Sequence, residues 1–164
     1  QIVSQQSAVA KRVAAVSRSR PQSSGGGART FSNSGGAGIV SVRGIQVASS
    51  IAGNLEALLA AAEADGISFS GGGYRDPAGQ IAVRRSNCGS SDYAIYQMPA
   101  SSCSPPTARP GTSMHEQGLA IDFTQGGRTL TRGSSGFAWL KAHAGQYGFA
   151  NLPSEPWHWS TNGN

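Results

Sequence analysis

The sequence predicts an α+β fold, on three observations. Apolar residues recur at helical spacing in some stretches and alternate at strand spacing in others. The two kinds of segment do not follow one another regularly, as a parallel doubly wound sheet would require. At 164 residues the chain is long enough for one domain with a real core and too short for two large ones.

Taken in order, residues 1–18 carry Ile2, Val9, Val13 and Val16 at near-helical spacing, predicting a helix that reads as the end of a longer coiled segment. Residues 19–38 are Gly/Ser-rich with one proline, the composition of a flexible linker. The domain boundary is therefore expected at residue 39, with 1–38 a basic helix and linker dispensable for folding, and 39–164 the folded unit. That unit opens with an extended piece, GIVSVRGIQV. A helix follows over about 47–65, with Ile51, Leu55, Leu58 and Leu59 on one face and Gly66 as its stop. ISFSGG (67–72) alternates as a half-buried strand does. A second helix is expected over 77–86, an irregular loop over 87–111, and a strand at GLAIDFT (118–124). GFAWLKAHAGQYG (136–148) reads as a helix and PWHWS (156–160) as the last strand.

Charge is divided unevenly. Residues 1–43 hold six bases and no acid, leaving seven of the 13 Lys and Arg and all eight Asp and Glu to residues 44–164, a net of −1 there. The basic balance thus belongs to the tail. A nucleic-acid-binding domain would more often carry such charge on its folded face, so no nucleic-acid partner is expected for the body. A basic arm suits an anionic cell wall, a membrane surface or RNA equally. No apolar run of transmembrane length and no signal-peptide pattern are present, and the chain opens on Gln1, as a processed or truncated product would.

Cys88 and Cys103 stand 15 positions apart in a Ser-, Pro- and Gly-rich stretch. In a cytosolic protein they would be free thiols or part of a metal site. A disulfide is the expectation here, because the segment reads as loop and lacks other support; closing it is worth roughly 3 kcal/mol in the chain-entropy model. That expectation points to an exported, extracellular or wall-associated protein.

TSMHEQGLAIDF (112–123) begins like the helical zinc-protease motif His-Glu-x-x-His, but Leu119 occupies the place of the second histidine. His115 and Asp122 bracket six residues, too far apart for one helical turn and suited to the entrance of a strand and the strand itself. Asp122 sits between Ile121 and Phe123, where an unpaired buried carboxylate would cost several kcal/mol, so a cation or several donors is one reading. An Asp facing solvent on an edge strand is the other. In EPWHW (155–159), Glu155 and His158 would point to opposite faces of an extended chain, so a turn at Pro156 is needed to bring both to one site. A packed core histidine between Trp157 and Trp159 is the alternative for His158.

Together these fragments resemble a family. Ser-x-His-(x)6-Asp followed by Glu-x-Trp-His, here SMHEQGLAID and EPWH, is similar to the zinc D,D-peptidases: the vancomycin-resistance-type D-Ala-D-Ala carboxypeptidases and dipeptidases, and the phage L-alanyl-D-glutamate endopeptidases. The family's Ser-Gly-x-Arg appears in modified form as SGGGYRD (70–76), with Gln80 downstream; the departure is extra glycine that lengthens the turn before Tyr74. The resemblance spans about residues 45–160. It implies a small antiparallel sheet flanked by helices, the fold that the hedgehog signalling domain shares. It makes His115, Asp122 and His158 ligands of Zn2+, Glu155 the catalytic base, and Arg75 the residue that grips or polarises substrate. Ser113, Gln80, Tyr74 and Trp157 are further substrate contacts on the same basis. Glu116, without its second histidine, reads as a peripheral polar residue, and His143, between Trp139 and Tyr147 on a helix, as structural.

The implied activity is zinc-dependent hydrolysis of peptidoglycan stem peptides by a monomer, most simply as a D-alanyl-D-alanine carboxypeptidase. An endopeptidase cutting within the stem or a cross-link is the nearest rival, and a non-catalytic zinc-containing wall-binding module the rival of a different class. The serine D,D-peptidase motif is excluded by sequence: Lys11 and Lys141 follow Ala8 and Ala138 where Ser-x-x-Lys needs serine. No Gly-x-Ser-x-Gly elbow is present.

Overall fold

A computed structural model describes residues 38–164, so the helix and linker expected before residue 38 lie outside the described residues. The extended piece is a hairpin, β1 (Ile39–Val42) and β2 (Ile45–Ala48), a two-stranded sheet of its own. Val42 pairs with Ile45 across a two-residue turn in which Arg43 and Gly44 both have positive φ, the mirror-type turn whose twist suits a tight hairpin.

Helix α1 (Ser49–Ala64) starts two residues later than predicted because residues 45–48 are spent on β2. It buries Ile51, Leu55, Leu58, Leu59 and Ala62, and ends as expected at Gly66. There the Gly66 and Ile67 amides return to the Glu63 and Ala62 carbonyls at 3.0 and 2.8 Å, with Gly66 at φ +78°, the Schellman closure.

The main sheet is antiparallel throughout, in the order β3 (Phe69–Gly72), β4 (Ala120–Gln125), β7 (His158–Ser160), β6 (Ala150–Asn151), with β5 (Arg128–Thr129) paired to β4. One face carries Ile121, Phe123 and Trp159 into a core shared with α1 and with α3 (Ser135–His143). The helix predicted over 136–148 gives way after His143 to a 3-10 turn, Ala144–Tyr147, closed by Gly148 in the left-handed region. Helix α2 (Pro77–Cys88) is capped by Asp76, whose carboxylate accepts from the Gly79 amide at 2.6 Å, with proline in the first turn. The segment predicted as loop holds a π-helical turn, Tyr93–Gln97, and a 3-10 turn, Ala100–Ser102, and is closed by a Cys88–Cys103 disulfide.

Two glycines of the run before Tyr74, Gly71 and Gly73, are explained by close backbone approach, whereas Gly72 meets open space. A Cβ on Gly71 would lie 2.3 Å from the Asp122 carbonyl oxygen, and one on Gly73 would lie 2.0 Å from that of Gln46. Gly73→Ala must push the chain after β3 away from β2; a loss of about 1–3 kcal/mol is expected in denaturant unfolding. An unchanged midpoint would show that the contact relaxes at no cost.

Candidate metal centre

Register does most of the assembly. Asp122 on β4 lies directly opposite His158 on β7, so the two side chains leave the same face side by side. On the other flank of Asp122 stands Gly72 of β3, which offers no side chain and leaves that side of the row open. His158 reaches the face because Glu155–His158 is a tight turn with Pro156 second: the His158 amide donates to the Glu155 carbonyl at 3.1 Å. This is the turn the sequence required. The strand predicted over 156–160 is correspondingly shorter, starting at His158.

His115 comes from a run of turns before β4, not from a helix, and the strand predicted from 118 starts at Ala120. Gly118, at φ +69°, packs on the backbone of β2, where a Cβ would lie 2.6 Å from the Ala48 nitrogen. Glu116 braces this turn, its carboxylate accepting from the Gly111 amide at 2.8 Å, which is the peripheral role read for it. Ser113 is buried; its hydroxyl accepts from the His115 amide at 3.2 Å.

The three side chains converge. His115 Nε2 lies 3.2 Å from His158 Nδ1 and 3.2 Å from Asp122 Oδ1, and His158 Nδ1 lies 2.9 Å from the same oxygen. Each ring's other nitrogen faces a backbone oxygen: His115 Nδ1 faces that of Gly73 at 2.7 Å, and His158 Nε2 that of Asn164 at 2.9 Å. A carbonyl only accepts, so each ring's proton belongs on that outer nitrogen, and the inner nitrogens present lone pairs. Two lone pairs and a carboxylate oxygen then meet at hydrogen-bond distance with no proton of a neutral ring to share. A cation resolves that conflict. The edge of a tetrahedron with ligand bonds of 2.0–2.1 Å is about 3.3 Å, close to these separations. Among the described residues this is the one cluster of His, Cys, Asp or Glu placed to hold a metal.

Without a cation, protons take up the strain. Burial works to raise the Asp122 carboxyl, but the hydrogen bonds and charges of His115 and His158 outweigh it and hold the group far below the usual carboxylate range. Burial works to lower His158, but its bonds to Asp122 and Asn164 and the charges of Asp122 and Glu155 raise it above its ordinary 6.5. Glu155 is half-buried; burial raises its carboxyl, partly offset by His158 and by a hydrogen bond from Trp157.

A cleft of about 310 Å³ lies over this group. Arg75, Gln80, Ser113, Glu155 and Trp157 all line it, together with the three clustered side chains. Arg75 reaches to 3.7 Å from Asp122 Oδ2 despite the longer glycine turn. Gln80 is fully buried beneath it, accepting from Arg75 Nη1 at 2.9 Å and donating to the Ala108 carbonyl at 2.7 Å. Its oxygen thus braces Arg75, while its amide nitrogen is tied to the cleft wall at Ala108. Tyr74 does not line the cleft; its amide is tied to the Gln46 carbonyl at 2.6 Å, which turns that stretch of chain toward β2. Trp157 faces the cleft, whereas Trp159 is core, its ring N–H donating to the Pro156 carbonyl at 3.0 Å.

Arg84 went unread in the sequence, since an arginine on a helix ordinarily reads as solvated. It is fully buried and donates to the carbonyls of Ala94, Ile95, Met98 and Thr107. It thereby joins the π-helical turn to the Pro105–Ala108 wall of the cleft.

Comparison with known proteins places this geometry. No curated protein sequence matches the chain. Among solved structures it is similar to the zinc(II) complex of a variant of VanY, the vancomycin resistance D,D-pentapeptidase of a VanB-type cassette. The two share 25% identity and a TM-score of 0.58 over 76% of this chain and 78% of that one. The complex of VanYB with D-alanine-D-alanine is similar at 24% identity and a TM-score of 0.60, covering 80% of each chain. The LD-carboxypeptidase LdcB matches at 24% identity and a TM-score of 0.52, over 70% of this chain and 58% of that one. The family model described as VanY, D-alanyl-D-alanine carboxypeptidase, matches residues 44–164, and the chain belongs to that family.

Proposed function

We propose that the protein is a zinc carboxypeptidase that removes the terminal D-alanine from peptidoglycan stem peptides. Membership of the family supports peptidoglycan peptidase activity, and the observation that carries the finer reading is Arg75. Its guanidinium, braced by the buried Gln80, stands at the edge of the cleft beside the metal group. A fixed, permanently charged fork of donors suits a free terminal carboxylate, which the interior of a peptide lacks.

His115, Asp122 and His158 would hold zinc(II), the ion carried by the similar VanY structure. Zinc bound there would supply a Lewis acid for the scissile carbonyl and lower the pKa of a coordinated water toward 7. The rest falls to the protein's own side chains. Arg75 anchors the terminal carboxylate and so fixes which carbonyl lies beside the metal group. Glu155, its basicity raised by burial, takes a proton from the attacking water. As the C–N bond breaks, it returns a proton to the departing amine nitrogen of D-alanine. Trp157 holds the Glu155 carboxylate in place. A non-catalytic zinc module has no need of a carboxylate so disposed.

The Cys88–Cys103 disulfide supports action outside the cytoplasm. Residues 39–164 are proposed as the catalytic unit, with 1–38 a separate basic arm. Digestion of defined stem peptides, read by mass spectrometry, tests the proposal together with elemental analysis of the fresh protein. One zinc per chain and release of free D-alanine alone are expected. Stem fragments or split cross-links would instead make the protein an endopeptidase, and no metal above background would remove the zinc reading.

A further inference from the structure

The chain after β7 reads Thr161-Asn162-Gly163-Asn164, and it folds back as a hook. The Asn164 amide donates to Asn162 Oδ1 at 3.0 Å, the Ser160 hydroxyl donates to the same oxygen at 3.1 Å, and the Gly163 amide donates to Ser160 Oγ at 2.9 Å. Gly163 sits at φ +79°, in the left-handed region open to glycine. An Asx turn and a glycine thus fix this stretch locally. Two anchors tie it to the body: Ser160 is fully buried, and Asn162 Nδ2 lies 3.6 Å from the sulfur of Met114, the neighbour of His115. What the hook delivers is the Asn164 backbone oxygen, 2.9 Å from His158 Nε2.

We propose that Asn162 is a positioning residue for His158. Through the hook it holds the Asn164 oxygen on Nε2, so that the ring keeps its proton there and offers Nδ1 to the metal at a fixed angle. His115 receives the equivalent support from Gly73, which lies within the glycine run. The support for His158 is built from side chains and is open to substitution. The proposal rests on the zinc reading above. Partners of this kind, behind a ligating histidine, are typically worth 10- to 100-fold in metal affinity.

The test compares Asn162→Ala with Asn162→Asp, using zinc and a competing chelator as the probe. Asn162 is exposed, but its removal leaves the buried Ser160 hydroxyl without its acceptor, so the Asp variant, which keeps that acceptor, is the control. Asn162→Ala is expected to weaken zinc binding 10- to 100-fold while the metal-free protein stays folded, its melting temperature lowered only by the few degrees that the unpaired Ser160 hydroxyl costs. Asn162→Asp keeps the accepting oxygen for Ser160 and Asn164 and is expected to bind zinc at least as tightly as the parent. Nitrogen-15 NMR of metal-free protein at pH 9 should show His158 protonated at Nε2 in the parent and Asp variant, and a mixture of tautomers in the Ala variant. Affinity within threefold of the parent in Asn162→Ala overturns the proposal, as does equal weakening in both variants, or loss of the metal-free fold in Asn162→Ala. A parent protein that binds no zinc overturns the zinc reading itself, a distinct result.

Discussion

Glu155→Ala is expected to retain one zinc per chain and its affinity for the stem peptide while losing about 10²–10⁴-fold in kcat, the usual worth of a positioned acid–base group. At about 1.4 kcal/mol per decade, that is about 3–5 kcal/mol of barrier. The reason is geometric. Glu155 lines the cleft beside the metal group without belonging to the convergent trio, so removing it deletes a proton carrier and leaves the ligands in place. The side chain is only half-buried, so the fold should lose little stability. Steady-state kinetics, with metal content measured on the same samples, check this. Near-parental turnover would assign the base elsewhere, and loss of zinc would make Glu155 a ligand.

Zinc uptake by the metal-free protein is expected to release a proton and to weaken steeply in mild acid. His158 carries a raised pKa, so below it the ring is charged and Nδ1 holds the proton that zinc must displace. Affinity should therefore fall about tenfold per pH unit below that value, with the fall beginning above pH 6.5, where an unperturbed histidine would scarcely respond. The linkage to stability runs the other way in the metal-free protein. The raised His158 contributes stability that is fully present below about pH 6.5 and is lost as pH rises through its folded value. Asp122, held low, contributes stability present above its unfolded value of 3.8 and lost as pH falls through its folded value. Proton and zinc thus compete for one vertex, the proton favoured in acid and the metal in base. Chelator competition at pH 6, 7 and 8 measures the slope, and a flat profile would mean that His158 is already neutral in the metal-free protein.

How far the sequence reached follows from what each residue depends on. The need for a turn at Pro156 was legible in local spacing, whereas the trio and the place of Glu155 were legible only through the resemblance, since Asp122 and His158 each left a second reading open on their own. A strand cannot place positions 155 and 158 on one face, and proline second in a turn removes that obstacle. The antiparallel α+β class was legible for similar reasons, through the resemblance and the apolar periodicities. Partners set by distant chain were not. Nothing near Gln80 says that its two ends meet Arg75 and the Ala108 carbonyl, 28 residues away. Tyr74 stands next to Arg75, yet its amide is drawn to β2. Strands β5 and β6, two residues each, exist only because β4 and β7 offer edges to pair with. The β1–β2 hairpin turns on Arg-Gly, which lacks the Asn-Gly or Asp-Gly signature of its turn type. The asparagine-glycine of the hook is such a signature, but its meaning required knowing what stands across from it.

Arg84 has a consequence for how the molecule moves. One guanidinium is bonded to carbonyls before and after the second cysteine, from Ala94 to Thr107, and its Nη1 also lies 3.3 Å from Cys103 Sγ. No part of that stretch can open without breaking bonds that hold the others. The segment that looks in sequence like the most pliable part of the domain is therefore a single cooperative unit, opening all at once or not at all. The wall of the cleft that it supplies is expected to move as one piece rather than residue by residue.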